Sequence, residues 1–217
     1  MGKSSTPSYV LTLELNISER EAFIIEKKLR IARQIYNDCL GESMKRLHRM
    51  QSNKEYNSLR KELAEISKDI KDKRREDPRY IKICERLNEI ANEYGFTEAA
   101  IQHYAITPRA HFYNAIGSAE VQELATRAFK AANKVCYGDA KKVRFKSAAD
   151  DMLAQNKSNE SGLRHKDGKI IWGKLTLSYI VKRKDKYAQM ALMDRTKFVR
   201  ILKRTIRGIV RYYVQHI

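Results

Sequence analysis

Cysteine is scarce in this chain, and long apolar runs are absent. Cys39, Cys84 and Cys136 are the only cysteines among 217 residues, and no C-x-x-C pair occurs. An odd number of widely separated cysteines argues against a disulfide framework or a zinc ribbon and fits a reducing compartment. No segment approaches the roughly 20 apolar residues of a membrane span, and the first residues are polar, unlike a signal peptide. We therefore expect a cytoplasmic protein without a membrane partner.

The sequence motifs of common enzymes are also missing. There is no G-x-x-x-x-G-K-[ST], G-x-G-x-x-G, H-E-x-x-H or G-x-S-x-G. The five histidines are scattered, and none lies at metal-ligand spacing from a cysteine or a carboxylate. Two-metal cleavage of phosphodiesters needs several converging carboxylates, and the seven acidic residues of 138–217 fall mostly in expected loops. We expect no catalytic residue, metal ligand or cofactor in this chain, which indicates a binding protein.

Acidic residues are far outnumbered by basic ones. The chain has 44 Lys and Arg against 26 Asp and Glu, a net charge of +18. This surplus favours a polyanionic partner, because phosphate contacts supply most of the non-specific affinity for nucleic acid. A solvated basic surface or a membrane-surface protein is the alternative. Residues 138–217 hold 20 basic and 7 acidic residues, a net +13, whereas residues 18–137 carry only +5. The C-terminal third therefore carries most of the surplus.

Strand patterns occur at both ends of the chain. Residues 9–16 alternate apolar and polar side chains, which predicts a half-buried strand that must pair with strands beyond residue 168. Later strands are expected at Lys169–Trp172, Lys174–Lys182, Tyr187–Met193, Phe198–Ile206 and Ile209–His216. In the last run a period of two puts Tyr212 and Val214 on one strand face, and Arg207 and Arg211 on the other.

The middle of the chain has helical periodicity. Ser18 and Glu21 form a capping box that predicts the start of a long helix with one apolar stripe. Two further runs, with apolar positions from Tyr56 to Ile70 and from Tyr80 to Tyr94, predict an antiparallel helical hairpin with mostly solvated charges. Short helices are expected to start at Thr97, at Thr107-Pro108 and at Gly117-Ser118.

These patterns predict an α+β fold in two domains. The six expected strands are enough to close a small antiparallel, OB-like β-barrel, which removes exposed strand edges. Residues 1–17 and 138–217 are expected to form this discontinuous barrel domain. Residues 18–137 are expected to form a mostly α-helical domain inserted into it.

A compact basic and aromatic segment, Lys141-Lys142-Val143-Arg144-Phe145-Lys146, follows the helical region. Its cations are suited to phosphates, while Phe145 either stacks on a base or packs into the barrel. Core packing is the favoured interpretation for Trp172 and Tyr179. For Arg207 and Arg211 phosphate binding is favoured over a salt bridge, since few acidic residues are nearby in the sequence.

Three segments of the chain form an ordered set. Ala32–Leu40 fits the pattern A-R-x-I-Y-N-x-x-L, Gln122–Lys146 contains A-F-K and then V-R-F-K, and Thr205–Gln215 contains I-R-G-I-V-R-Y-Y-V-Q. Together these segments resemble TnpB-type proteins, the transposon-encoded RNA-guided nucleases ancestral to compact type V CRISPR effectors. One departure is Val143, which stands where that family usually has proline.

The resemblance implies a wedge barrel interrupted by a helical recognition domain. In that family the two domains grip the guide RNA and the guide–target heteroduplex and read a short motif beside the target, while base pairing reads the sequence. It also implies a RuvC nuclease domain and a zinc ribbon beyond the last strand. Neither occurs in these 217 residues. We expect that remainder, and any magnesium it uses, in the same or a separate chain.

The leading hypothesis is therefore the part of a transposon- or CRISPR-associated RNA-guided DNA endonuclease that binds guide RNA and target DNA. The candidate RNA-binding residues are Lys141, Lys142, Arg144, Phe145, Lys146, Arg207 and Arg211. The candidate DNA- or heteroduplex-binding residues are Gln122, Arg127, Lys130 and Lys134. A stand-alone basic regulator that binds RNA or DNA without a nuclease is the second hypothesis. The third is a scaffold that contacts a protein through the helical hairpin.

Overall fold

The computed structural model describes residues 8–69, 76–150 and 152–217. These residues form seven strands and seven helices. The strands are β1 (Leu11–Asn16), β2 (Leu153–Gln155), β3 (Arg164–Lys166), β4 (Lys169–Trp172), β5 (Leu175–Tyr179), β6 (Val199–Ile206) and β7 (Ile209–His216). The helices are α1 (Glu19–Gln51), α2 (Lys54–Asp69), α3 (Pro78–Glu93), α4 (Glu98–Tyr104), α5 (Ile106–His111), α6 (Ser118–Cys136) and α7 (Lys186–Ala191).

The strands form one antiparallel sheet in the order β2-β6-β7-β1-β5-β4-β3. The N-terminal strand β1 lies between two C-terminal strands: Leu13 pairs with Val214 of β7, and Leu15 pairs with Tyr179 of β5. The predicted pairing of the first strand with the distant C-terminal strands is therefore confirmed. Alternate residues of β1 are buried, as expected for a strand with one face on the core.

The sheet is not closed into a barrel, so this part of the predicted fold is wrong. Its two outer strands, β2 and β3, have three residues each and offer few backbone groups for closure. The segment expected as a strand at Tyr187–Met193 instead forms α7. The carboxylate of Asp185 accepts a hydrogen bond of 2.9 Å from the amide of Ala188, and this N-cap favours a helix over a strand.

The chain divides into two compact units. The first comprises Met1–Ile35, Ile106–Leu124 and Lys146–Ile217 and contains the sheet. The second comprises Tyr36–Ala105 and Ala125–Phe145 and is mostly helical. The divisions fall inside α1 and α6, and the domain boundaries predicted from the sequence at residues 17 and 138 stay predictions.

Local helix signals are confirmed. The amide of Ser18 donates to Oε2 of Glu21 at 2.8 Å, and the amide of Glu21 donates to Oγ of Ser18 at 3.3 Å, which is the predicted capping box. Thr97 caps α4, and α6 starts at Ser118 as predicted. The exception is α5, which begins at Ile106 and therefore has Pro108 as its third residue rather than its first.

The predicted hairpin of α2 and α3 lies within the second unit. Nδ2 of Asn53, just before α2, donates to the hydroxyl of Tyr94, just after α3, at 3.2 Å. Nε of Arg86, midway along α3, donates to Glu55 at 2.6 Å. The Asn53–Tyr94 bond places the start of α2 beside the end of α3, so the two helices are antiparallel. Ile70, the last apolar position predicted for the first of these helices, lies outside the described residues.

Candidate nucleic-acid interface

Helix α6 carries the candidate DNA-contacting residues. The alanines at 125, 128 and 132 are fully buried along one face, and Lys130 and Lys134 are exposed on others. Arg127 is half-buried, with its guanidinium carbon 5.9 Å from the centroid of the Tyr36 ring in α1. Gln122 is exposed on the part of α6 that belongs to the first unit. Small buried residues thus pack the helix closely and leave its lysines in solvent.

The chain reverses at the end of α6. Gly138 has a φ of +81°, a left-handed conformation that favours glycine after a helix. Its amide donates to the carbonyl of Val135 at 3.2 Å, and the amide of Ala140 donates to the carbonyl of Lys134 at 3.1 Å. These two bonds satisfy carbonyls that the helix leaves free, and they hold the start of the basic segment beside the last turn of α6.

The basic segment Lys141–Lys146 has no regular secondary structure. Lys141, Lys142 and Arg144 are exposed, and Lys146 is half-buried. Phe145 is 51% exposed, so the predicted alternative in which it packs into a barrel core is wrong. Its ring lies next to α1, because a Cβ placed on Gly41 would be 3.9 Å from its Cε1 atom. The other alternative, stacking on a base, stays a prediction.

A second cationic feature is the ribbon formed by β6 and β7. All residues from Arg204 to Arg211 are exposed, and Arg204 is paired directly opposite Arg211. Like charges in opposite positions destabilise a sheet, so an anion that binds here would relieve this repulsion. Arg207 and Gly208 form the turn, with φ values of 52° and 80°. Arg207 therefore lies at the tip of the ribbon, and its predicted place on a strand face with Arg211 is wrong.

Phosphate binding was favoured over a salt bridge for Arg211, but the structure contains a salt bridge there, and phosphate binding stays a prediction. Nη1 of Arg211 lies 3.0 Å from Oε1 of Glu14. Glu14 is paired with Tyr213 in the β1–β7 ladder, which puts its carboxylate diagonally across from Arg211. Two cations of β6 also have partners within the protein. Nζ of Lys203 lies 3.1 Å from a carboxylate oxygen of Glu26, and the guanidinium carbon of Arg204 lies 5.4 Å from the ring centroid of Tyr213.

Trp172 belongs to the core of the first unit, as favoured from the sequence. It is 1% exposed, and its Nε1 donates to Oε1 of Glu120 at 3.1 Å. Nζ of Lys28 lies 5.0 Å from the centroid of the indole and donates to the carbonyl of Ala115 at 2.6 Å. Burial lowers the pKa of Lys28, and the negative charge of Glu120 opposes that shift. This buried group therefore serves packing and charge compensation rather than base stacking.

The first unit also contains an aromatic cluster that the sequence analysis missed. His165 of β3, Tyr179 of β5 and His216 of β7 have ring centroids 4.7 to 5.8 Å apart. Nε2 of His165 lies 3.0 Å from the hydroxyl of Tyr179. His216 is 5% exposed, and neither ring nitrogen has a hydrogen-bond partner in the part of the chain that the structure describes. The sequence contained one signal for the burial of His216, because this residue continues the alternation of Tyr212 and Val214, which are buried in β7.

The environment of the two imidazoles disfavours their charged forms. Burial lowers the pKa of His216 to about 4, and the nearby His165 adds to the shift. Burial also lowers the pKa of His165, which Asp167 opposes. Both rings are therefore neutral near pH 7.

Two kinds of feature are absent from residues 8–69, 76–150 and 152–217. These residues include no group of three or more His, Cys, Asp or Glu side chains arranged to hold a metal ion. None of the helices formed by them has the length and apolar character needed to cross a membrane.

No known protein-family model matches this chain. The curated proteins compared with it include none that matches in sequence.

Proposed function

We propose that this chain binds guide RNA and target DNA as part of a transposon- or CRISPR-associated RNA-guided DNA endonuclease, with the nuclease domain outside the chain. The observation that carries the proposal is the exposed segment Lys141–Phe145, in which three cations accompany a half-exposed phenyl ring. Cations hold phosphates without regard to sequence, and an aromatic face stacks on any base. This combination suits a protein that leaves sequence recognition to base pairing.

The proposal divides the contacts between two kinds of nucleic acid. Guide RNA is assigned to the basic segment Lys141–Lys146 and to Arg207 and Arg211 of the β6–β7 ribbon. Target duplex or heteroduplex is assigned to α6, through Gln122, Arg127, Lys130 and Lys134. The support for the second assignment is the exposure of both lysines on a helix whose opposite face is closely packed.

Charge reversal tests the basic segment. The triple variant Lys141→Glu, Lys142→Glu and Arg144→Glu is expected to weaken binding of a structured RNA by more than tenfold at physiological salt. Each lost phosphate contact also lowers the slope of log affinity against log salt by about 0.7 to 0.9. Fluorescence anisotropy over a salt series measures both quantities.

A matched control exists in the turn after β5. Lys182, Arg183 and Lys184 are all exposed, and their replacement by glutamate changes the net charge by the same amount. This control variant is expected to keep most of the RNA affinity. If both triple variants bind equally well, the basic segment is not the RNA contact.

The nucleic acid that copurifies with the chain tests the guide-RNA assignment. A discrete, structured RNA species is the expected result. Heterogeneous RNA and DNA fragments would instead indicate a basic binding protein without a guide, which is the stand-alone regulator.

A further inference from the structure

The second unit contains a cavity of about 680 Å³ bordered by α2, α3, the segment after α3 and the C-terminal half of α6. This volume lies within the range of about 300–1,000 Å³ that is common for small-ligand sites. The cavity is accessible, since Tyr137 on its wall is 58% exposed. None of the candidate binding residues predicted from the sequence is among its lining residues.

Aromatic side chains form much of the wall. Tyr80, Phe129 and Tyr137 line the cavity, and Phe129 packs at a tilt against Phe96 with ring centroids 5.1 Å apart. The guanidinium carbon of Arg60 lies 5.6 Å from the centroid of the Tyr137 ring. Within the described part of the chain Arg60 has no acidic partner, so a cation accompanies an exposed aromatic face at this cavity.

Two amide side chains add polar groups to the same wall. Asn88 and Asn133 line the cavity, and neither amide has a hydrogen-bond partner among the residues that the structure describes. A carboxylate, that of Glu98, also lines it. Its Oε1 already accepts hydrogen bonds from Gln102 at 3.1 Å and Thr126 at 2.8 Å, so this oxygen is engaged by the protein.

We propose that this cavity accepts one unstacked base of a bound single-stranded RNA segment, an inference that rests on the nucleic-acid binding proposed above. Aromatic faces stack on bases of any kind, and an asparagine amide offers both a donor and an acceptor to a base edge. The adjoining phosphates would lie on the basic segment. Lys141 follows Tyr137 by four residues, and the amide of Ala140 is hydrogen-bonded to the carbonyl of Lys134 at 3.1 Å.

The cavity contains its own reporters of occupancy. Cys84 and Cys136 line it and are half-buried, whereas Cys39 is fully buried and serves as an internal control. Alkylation by iodoacetamide, followed by mass spectrometry of the full chain, gives the rate at each thiol. With a saturating single-stranded uridine oligonucleotide, the rates at Cys84 and Cys136 are expected to fall about tenfold. Unchanged rates at both thiols, with binding confirmed by anisotropy, would overturn the cavity proposal and leave nucleic-acid binding intact.

Uridine monophosphate alone separates a base within a strand from a free nucleotide. It is expected to give no protection at the oligonucleotide concentration used, because phosphates along a strand supply most of the affinity. Equal protection by the mononucleotide would identify a nucleotide site and contradict the proposal. If the oligonucleotide does not bind at all, the proposed function fails and the cavity proposal fails with it.

Substitution of Tyr137 gives a second readout. Loss of one base–aromatic stack in Tyr137→Ala is expected to weaken oligonucleotide binding by roughly 5- to 150-fold. Tyr137→Phe keeps the ring and is expected to bind like the unmodified chain. Phe23→Ala removes an exposed ring from α1 in the first unit and is the matched control. Equal affinity of Tyr137→Ala and the control, at equal thermal stability, would contradict the proposal.

Discussion

The β6–β7 ribbon and the basic segment Lys141–Lys146 carry similar charges in different settings. In the ribbon and its base, Arg211 is paired with Glu14 and Lys203 with Glu26, while Arg204 lies over an aromatic ring. In the segment, Lys141 and Lys142 are exposed without an acidic partner among the described residues. A paired cation must exchange its carboxylate for a phosphate, whereas a solvated one only releases water and counterions. We infer that the basic segment supplies most of the proposed affinity for RNA, and that the ribbon holds its cations in a fixed arrangement.

The largest expected difference between the two features is their dependence on pH. His216 is buried at the end of β7, at the base of the ribbon. Burial lowers the pKa of its imidazole to about 4 from an ordinary 6.5. Above pH 6.5 the ring is neutral in both the folded and the unfolded chain, so it costs the folded state nothing. Between pH 6.5 and 4 only the unfolded chain takes up the proton, so the free energy of unfolding falls. The loss amounts to roughly 3 kcal/mol of unfolding free energy. Urea unfolding between pH 4 and 7 measures it.

The variant His216→Leu keeps an apolar group at this position and should remove the histidine part of that pH dependence. His103→Ala, at an exposed histidine of α4, should leave it unchanged. Identical pH profiles for His216→Leu and the unmodified chain would show that the buried imidazole does not destabilise the first unit in acid.

Neutralisation of paired and unpaired cations tests the comparison directly. The variant Lys141→Ala with Lys142→Ala is expected to lower RNA affinity about tenfold and the salt slope by about 1.4. The variant Lys203→Ala with Arg211→Ala is expected to lower affinity less, because these cations already have carboxylate partners. Anisotropy titrations at several salt concentrations compare the two. A larger effect in the ribbon would reverse our assignment of roles.

The turn of the ribbon offers a gain in stability. Arg207 has a left-handed φ of 52°, and asparagine followed by glycine is the preferred pair for a two-residue turn of this kind. Arg207→Asn is therefore expected to stabilise the chain by up to about 1 kcal/mol. Thermal unfolding measures this gain. The same variant is expected to bind RNA more weakly if the tip contacts phosphate, so unchanged affinity would exclude Arg207 from the interface.

The smallest expected effect, on stability and on RNA affinity, follows when Arg211 loses its carboxylate partner Glu14. Glu14→Gln removes the carboxylate from a pair in which both side chains are partly exposed, and such pairs contribute about 0.2–1 kcal/mol. Stability should therefore fall only slightly, while RNA affinity should rise a few-fold as Arg211 becomes available. Glu89→Gln, at an exposed acid of α3, controls for the change in net charge. A decrease in affinity for Glu14→Gln alone would indicate that Glu14 positions Arg211 for binding.

Local helix signals and the pairing of the first strand with C-terminal strands were predictable from the sequence, but contacts between individual distant side chains were not. The Ser18–Glu21 cap and the α2–α3 hairpin follow from signals within a few turns of helix. The pairing of Glu14 with Arg211 joins residues 197 positions apart, and no local pattern indicates it. Tyr179 and His216 similarly lie close together because only β1 separates β5 from β7, and His165 joins them from β3 at the end of the sheet.

The error at α7 has a different origin. The segment at Tyr187–Met193 is a short, mostly apolar run, which suits either a buried strand or a helix, and the Asp185 cap before it is a helix signal. The exposure of Phe145, for which the sequence left two alternatives open, depends on the path of an irregular segment after α6, which no local pattern specifies. Whether any of these cations contacts nucleic acid stays a prediction.

The central place of β1 in the sheet has a consequence for synthesis. Leu11, Leu13 and Leu15 leave the ribosome before their partner strands β5 and β7, which extend from Leu175 to His216. At about 5–20 residues per second, this apolar strand waits on the order of 10 to 40 seconds for its last partner. During that time the helices can fold from local contacts, while the unpaired strand is a potential binding site for a chaperone. The sheet of this protein is therefore begun early in translation and completed late.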